Sequence, residues 1–241
     1  MSIKPRHITV VGMRVQILRK GIKNLHLGVY PPYGRVRVAA PLRVNDEAVR
    51  LVVIGKLGWI KRQRARFDAQ PRQSAREMVS GESHYFLGRR YRLRVVEHDG
   101  VPKVVARNRF IELHVRPGMS AGRRGKLLER WYRQQLKQLL PPLVDKWQVS
   151  LGVQLAEGGV KKMKTRWGTC NAEARRIWLN LELAKKPVQC LEYIVVHELA
   201  HLLERHHNDR FVALMEKHLP QWRLHRAALN AAPLTHSNWS Y

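Results

Sequence analysis

The sequence is poor in cysteine, in long apolar runs and in acidic residues, and the first two shortages argue against whole classes of protein. Two cysteines in 241 residues, Cys170 and Cys190, are too few for a disulfide-stapled secreted scaffold. No run approaches the roughly 20 apolar residues of a membrane span. Arg14 interrupts the N-terminal apolar run too early for a signal peptide. We therefore expect a cytoplasmic protein with no membrane partner.

Acidic residues number 18 against 45 lysines and arginines, which gives a formal net charge of +27 and a pI near 11.1. Such an excess predicts attraction to anions, whether nucleotides, nucleic acid or acidic surfaces. Basic runs at 61–66, 122–124 and 161–164 are candidate phosphate contacts. A highly soluble surface would have the same composition, so charge alone names no ligand.

The first 120 residues alternate between apolar and polar positions, as β-strands do. In "GRVRVAAP" (34–41) the arginines fall on one face and the valines on the other. The stretch "RRYRLRVVEHDGVPKVVA" (89–106) also alternates, and its "HDG" predicts a hairpin turn. A helix with Asn45 as its N-cap is expected over 45–67. No internal repeat is apparent.

The second half of the chain is expected to be mostly helical. Residues 122–150 have helical periodicity, which Pro141 and Pro142 should end or kink. A loop and a strand are expected within 161–184. Further helices are expected near 187–204 and 208–218.

The motif His-Glu-x-x-His, formed by His197, Glu198 and His201, is the strongest chemical signal. On a helix, positions i and i+4 lie one above the other, about 5.4 Å apart. Two imidazoles can therefore reach one metal ion, while the glutamate takes a proton from a water on that metal. The sequence predicts a catalytic zinc site, although other divalent transition ions also accept imidazole ligands.

A third zinc ligand is expected, because catalytic zinc usually takes three protein ligands and leaves one position open. His206 and His207 follow His201 by five and six residues, and the spacing leaves both open. The six-residue spacing also occurs in metzincins, but that pattern needs glycine where Glu204 stands. A metzincin is therefore not expected.

Several stretches together resemble the YgjP-like metallopeptidases, a zincin family related to SprT-like proteases. They are "MKTRWGTC", "RIWLNLELA", "YIVVHELAHLLERHHNDRF" and "LPQWRLHRAAL". The likeness is strong over residues 120–230. It implies that His197, His201 and His207 bind the metal and that Glu198 is the catalytic glutamate.

The chain departs from the family's usual motifs at a few positions. The usual Asn-His-Ser is replaced by His206, His207 and Asn208, and the usual Arg-Trp-Gly-Ser-Cys has Thr169 in place of serine. In the resemblance the Arg-Trp-Gly loop borders the cleft, so Arg166 and Trp167 are candidate substrate-binding residues. The alternative is that the tryptophan fills the core and the arginine lies on the surface.

The resemblance implies an α+β fold. A zincin-like helical core with a short antiparallel sheet would carry the His-Glu-x-x-His motif, and a β-rich antiparallel N-terminal half would precede it. We expect a basic β-rich half over 1–120 and a metallopeptidase domain over 121–241, or one continuous YgjP-like domain.

The expected activity is zinc-dependent hydrolysis of a peptide bond with Glu198 as general base. An edge strand around 177–181 would pair with an extended polypeptide substrate. One alternative is a nucleoside triphosphate pyrophosphohydrolase, because a YgjP-like protein is associated with UTP hydrolysis. A second is a nucleic-acid-associated protease, suggested by the SprT kinship and the +27 charge. A non-catalytic basic binding module fits the intact motif poorly.

Overall fold

A computed structural model describes residues 6–30, 34–68, 76–163 and 166–231. They form two compact units, which we call unit 1 (residues 6–68) and unit 2 (residues 76–231). The sequence suggested a division after residue 120. The boundary falls earlier because strands within 83–115 pack against the long helix that follows them.

Unit 1 is a four-stranded sheet followed by two helices. Its elements are β1 (Arg6–Val10), β2 (Met13–Lys20), β3 (His26–Tyr30), β4 (Arg35–Pro41), α1 (Asp46–Gly55) and α2 (Leu57–Asp68). The alternation predicted for 34–41 is confirmed, since Val36 and Val38 are fully buried. They pack with Val49 and Val53 of α1 in one apolar core.

The helical stretch expected over 45–67 is present as two helices that meet at Lys56. Asn45 is the N-cap of α1, as predicted, and its side chain accepts a hydrogen bond from the Ala48 amide at 2.8 Å. This bond satisfies one of the amides that the first turn leaves without an intrahelical partner.

Unit 2 combines two sheets with helices. Its elements are β5 (Ser83–Phe86), β6 (Arg89–Glu97), β7 (Lys103–Arg107), β8 (Phe110–Val115), α3 (Ala121–Leu151), β9 (Glu157–Lys161), β10 (Gly168–Asn171), β11 (Arg176–Asn180), a 3-10 turn (Leu181–Lys185), α4 (Val188–Ala200), α5 (Asp209–His218) and α6 (Trp222–Ala231). The predicted α+β class is confirmed. The sheets are mixed rather than purely antiparallel, because β2 with β4, β6 with β8, and β9 with β11 are parallel pairs.

The hairpin predicted at "HDG" is wrong. The strands on either side of it, β6 and β7, are not neighbours, because β8 lies between them in the strand order β5-β6-β8-β7. The tight turn is instead at Asn108, whose φ of 54° reverses the chain between β7 and β8. Local turn signals do not reveal that a third strand will be inserted.

The two prolines of α3 do not end the helix, which runs from Ala121 to Leu151 with Pro141 and Pro142 inside it. Both prolines are exposed, whereas Leu140 and Val144 on the same turns are buried. Packing on both sides of the prolines therefore outweighs the backbone hydrogen bonds that they remove.

The two four-stranded sheets have the same topology, although the sequence shows no repeat. In each, the strand order is first-second-fourth-third, with a parallel pair in the centre and antiparallel pairs at both edges. The first two strands of each sheet are joined by two residues with positive φ, Val11 and Gly12 in unit 1 and Leu87 and Gly88 in unit 2. A helix follows each sheet.

Within the described ranges, the structure contains no helix that combines the length and the apolar character needed to cross a membrane.

Candidate metal centre

The His-Glu-x-x-His motif lies at the C-terminal end of α4. The helix is almost entirely buried, which explains its long apolar run, and Pro187 stands at its N-cap. It ends at Ala200, so His201 is the capping residue, with near-helical dihedrals of −68° and −11°. His197 and His201 therefore keep the one-turn spacing that the motif requires, although the helix is shorter than predicted.

Three imidazoles converge at this end of the helix. Nε2 of His207 lies 3.1 Å from Nε2 of His197 and 3.1 Å from Nε2 of His201. In the described part of the chain, these three residues form the group that could hold a metal ion. Zinc–nitrogen bonds of about 2.0–2.1 Å in a tetrahedron would place neighbouring nitrogens roughly 3.3 Å apart, so the three residues fit a zinc ion.

A hydrogen bond to the backbone fixes which nitrogen of His201 faces the centre. Nδ1 of His201 donates to the carbonyl oxygen of Glu204 at 2.9 Å, which leaves the lone pair of Nε2 free for a metal. His206, the competing candidate, is exposed and is not one of the converging imidazoles. Its backbone amide donates to the Glu204 carboxylate at 3.0 Å.

The surroundings keep the imidazoles neutral, the form that binds metal. Burial, together with the charges that His201 and His207 would carry, lowers the pKa of His197 to about 3. Burial and the neighbouring His201 also lower the pKa of His207. At neutral pH both rings are unprotonated.

Phe211 of α5 is the common support of the three rings. Its ring centroid lies 5.0 Å from that of His197, 4.8 Å from that of His201 and 4.7 Å from that of His207. Asn208, the N-cap of α5, accepts a hydrogen bond from the Phe211 amide at 3.0 Å and so fixes the start of this helix. His207 lies just before this N-cap, so the start of α5 brings His207 and Phe211 to the same place.

Glu198 is buried beside the imidazoles, with 5 % of its surface exposed. Its carboxylate lies against Gly168 of β10 so closely that a Cβ at that position would be 2.5 Å from Oε1. Burial raises the pKa of Glu198 to about 8, and the positive charge of Arg166 opposes that rise. The carboxylate is therefore a group that exchanges a proton near neutral pH.

The two substrate-binding candidates of the Arg-Trp-Gly loop, Arg166 and Trp167, have different surroundings. Arg166 is exposed and acts electrostatically on Glu198. Trp167 is 3 % exposed, with the Lys186 ammonium 5.5 Å from its ring centre, so it packs in the core, and its contact with substrate stays a prediction. Asn180, fully buried, holds the loop by donating to the carbonyl oxygens of Met163 and Arg166.

Cys170 lies on β10 and Cys190 on α4, and both are free thiols. Burial, and then the charge of Glu198, raises the pKa of Cys170 to about 11. A thiol that stays protonated at neutral pH is a poor metal ligand, because thiolates bind metals. The three histidines remain the donor set.

An aromatic stack extends from the centre to α6, and sequence reasoning missed it. Tyr193, one turn before His197, meets that ring edge-on at 5.8 Å and stacks on Trp222 at 6.4 Å. The guanidinium of Arg226 lies 5.9 Å from the Trp222 ring centre, and its charge lowers the pKa of His197 and His207. Tyr193 could have been found from its i−4 spacing to His197, whereas Arg226 has no such local signal.

This chain is similar to a known family of metallopeptidases. The family described as "YgjP-like, metallopeptidase domain" matches residues 23–232. The chain belongs to the YgjP-like family. The structure of the metallopeptidase zymogen of Pyrococcus abyssi abylysin is similar over 36% of this chain and 89% of that one, with 22% identity and a TM-score of 0.35. Among curated proteins, none matches significantly.

The departures of this chain from the usual YgjP-like motifs preserve local structure. Asn208 stands where the family has serine and serves as the N-cap of α5, a position that asparagine and serine fill about equally well. His206 replaces an asparagine, is exposed and is not one of the three grouped histidines. The YgjP-like chain therefore keeps its three convergent imidazoles despite the altered residues on either side of His207.

Proposed function

We propose that the chain is a zinc-dependent peptidase in which His197, His201 and His207 bind the metal and Glu198 is the general base. The observation that supports this best is the convergence of three imidazoles, with Nε2 of His207 3.1 Å from Nε2 of both His197 and His201, beside a buried carboxylate. A zinc ion bound there would supply a Lewis acid for a carbonyl oxygen and a water that ionises near neutral pH.

Glu198 is suited to moving the proton. A carboxylate whose pKa is raised by burial accepts a proton from the attacking water and can return it to the departing amine. The charge of Arg166 keeps the pKa from rising further, and so keeps part of the population ionised at neutral pH. Gly168 leaves the space that the carboxylate occupies.

The edge strand beside Glu198 is the proposed docking place for a polypeptide. The sequence placed that edge at 177–181, but this segment forms β11, which lies in the centre of the order β10-β11-β9. In the part of the chain that the structure describes, β10 pairs on one side alone. An extended peptide added to β10 would pass Gly168 and therefore the Glu198 carboxylate.

Hydrolysis by the zinc-loaded protein tests the proposal. We expect cleavage of a quenched fluorescent peptide library by the wild type and none by Glu198→Gln. Glu173→Gln, an exposed glutamate in the β10–β11 turn, is the matched control and should cleave like the wild type.

Hydrolysis of UTP is measured in parallel by following pyrophosphate release, because the same residues could serve a nucleotide substrate. Pyrophosphate release that needs Glu198, without peptide cleavage, would replace the peptidase by the nucleotide pyrophosphohydrolase. Peptide cleavage that requires added single-stranded DNA would instead favour a nucleic-acid-associated protease.

A further inference from the structure

The outer face of the unit 1 sheet, opposite its buried valines, is strongly basic. Alternation along the strands places on it Arg14 and Lys20 of β2, Arg35 and Arg37 of β4, and Tyr30 of β3. No acidic residue occupies a position on this face. Among the described residues, none of these four cations has an acidic partner within ion-pair distance, although Arg37 donates to the Gln16 side chain at 2.9 Å.

Tyr30 lies flat across this face. A Cβ on Gly28, two residues earlier on the same strand, would lie 2.7 Å from the tyrosine ring, so the ring covers the glycine. The Arg37 guanidinium lies 5.0 Å from the ring centre. The ring is half-buried, and this guanidinium lies over it.

The related sheet of unit 2 shows what an internally neutralised face looks like. There Glu112 of β8 lies 3.2 Å from both Arg94 and Arg107. The two sheets can be aligned on the glycine of their first turn. Leu93 lies five residues after Gly88 in unit 2, and Ile17 lies five residues after Gly12 in unit 1. The parallel pair Leu93–Ile111 therefore corresponds to the parallel pair Ile17–Val38. Glu112 therefore corresponds to Ala39, so the face of unit 1 lacks that carboxylate.

We propose that this face of unit 1 binds single-stranded nucleic acid, with phosphates on Arg14, Arg35 and Arg37 and an unpaired base on Tyr30. Cations without acidic partners neutralise phosphates, and an aromatic ring on an open sheet is a stacking platform for exposed bases. The proposal is independent of the peptidase activity, since it uses no residue of the metal centre.

Charge alone would also attract an acidic polypeptide or an anionic membrane. Neither makes particular use of an aromatic ring beside a guanidinium group. Membrane surfaces are bound through protruding apolar side chains, and the apolar residues at this face, Leu18 and Ala39, are half-buried. Nucleic acid uses both the charge and the ring.

The test is fluorescence anisotropy of a labelled single-stranded 15-mer with the full-length chain at several salt concentrations. Tyr30→Leu keeps an apolar side chain but removes the ring, and should weaken binding about 5- to 100-fold. The double variant Arg35→Gln/Arg37→Gln should reduce the slope of log K against log salt by about 1.4, because each phosphate contact contributes about 0.7. Ala39→Glu, which restores the carboxylate of unit 2, should also weaken binding.

The matched control is Lys137→Gln/Lys217→Gln, which removes the same charge from exposed positions on α3 and α5 of unit 2. It should leave the salt slope unchanged, and circular dichroism should show every variant folded. Wild-type affinity in Tyr30→Leu, or an equal loss in the lysine control, would overturn the proposal. So would binding to phosphatidylserine vesicles or polyglutamate without binding to the oligonucleotide.

Discussion

Replacing the buried Glu198 carboxylate should stabilise the metal-free protein. Glu198 is buried, and its pKa is about 8 in the folded chain against 4.5 for an ordinary glutamate. Between these values the unfolded chain releases the proton and the folded chain retains it, so the free energy of unfolding falls as pH rises. Each pH unit costs about 1.4 kcal/mol, which amounts to about 3 kcal/mol between pH 4.5 and pH 7.

The variant Glu198→Gln removes this cost because glutamine is neutral at every pH and has nearly the same shape. We expect metal-free Glu198→Gln to be about 3 kcal/mol more stable than the wild type at pH 7, with the difference vanishing near pH 4. His197 contributes in the opposite direction, since its lowered pKa destabilises the fold as pH falls below 6.5. Both proteins carry that contribution, so it cancels in the difference.

Urea unfolding in the presence of EDTA, followed by tryptophan fluorescence from pH 4 to pH 8.5, measures the difference. Glu192→Gln, on the same helix, is the control with the opposite sign. Burial raises the pKa of Glu192, but hydrogen bonds from Lys146 and Trp147 outweigh burial and lower it overall. This variant should therefore be less stable than the wild type at pH 7, and the deficit should shrink at low pH. A less stable Glu198→Gln, or a pH-independent difference, would refute the reasoning.

Three further substitutions test how the centre is built. Phe211→Leu removes the ring against which all three imidazoles pack, and should weaken zinc binding about 10- to 100-fold. Competition with a chelating dye measures the zinc affinity, and an unchanged affinity would contradict the supporting role. Gly168→Ala places a methyl group 2.5 Å from the Glu198 carboxylate. Peptide hydrolysis should therefore be lost while the zinc content stays that of the wild type. Full activity would contradict the close contact. Arg166→Gln removes a charge that lowers the pKa of Glu198, so the acid limb of the kcat/KM profile should move to higher pH; movement to lower pH would show that the arginine acts otherwise.

Local features of this chain were predictable because they depend on neighbouring residues. The His-Glu-x-x-His spacing, the Asn45 cap and the alternation at 34–41 are set within a few positions of one another. His206 and His207 could not be distinguished by spacing, since the choice depends on how α5 packs its Phe211 against α4.

Features that depend on distant segments escaped sequence reasoning. The insertion of β8 between β6 and β7 and the central place of β11 are decided by pairing across the sheet. Arg226 comes near His197 because α6 packs on α4, about 30 positions later in the chain. The passage of α3 through Pro141 likewise depends on buried residues at both ends of the helix.

The most direct test of the central claim is the zinc content of purified protein, measured by mass spectrometry for the wild type, His207→Ala and His206→Ala. The account predicts one zinc per chain in the wild type and in His206→Ala, and loss of zinc in His207→Ala. Zinc retained by His207→Ala and lost from His206→Ala would contradict the assignment of the three convergent imidazoles as the metal ligands.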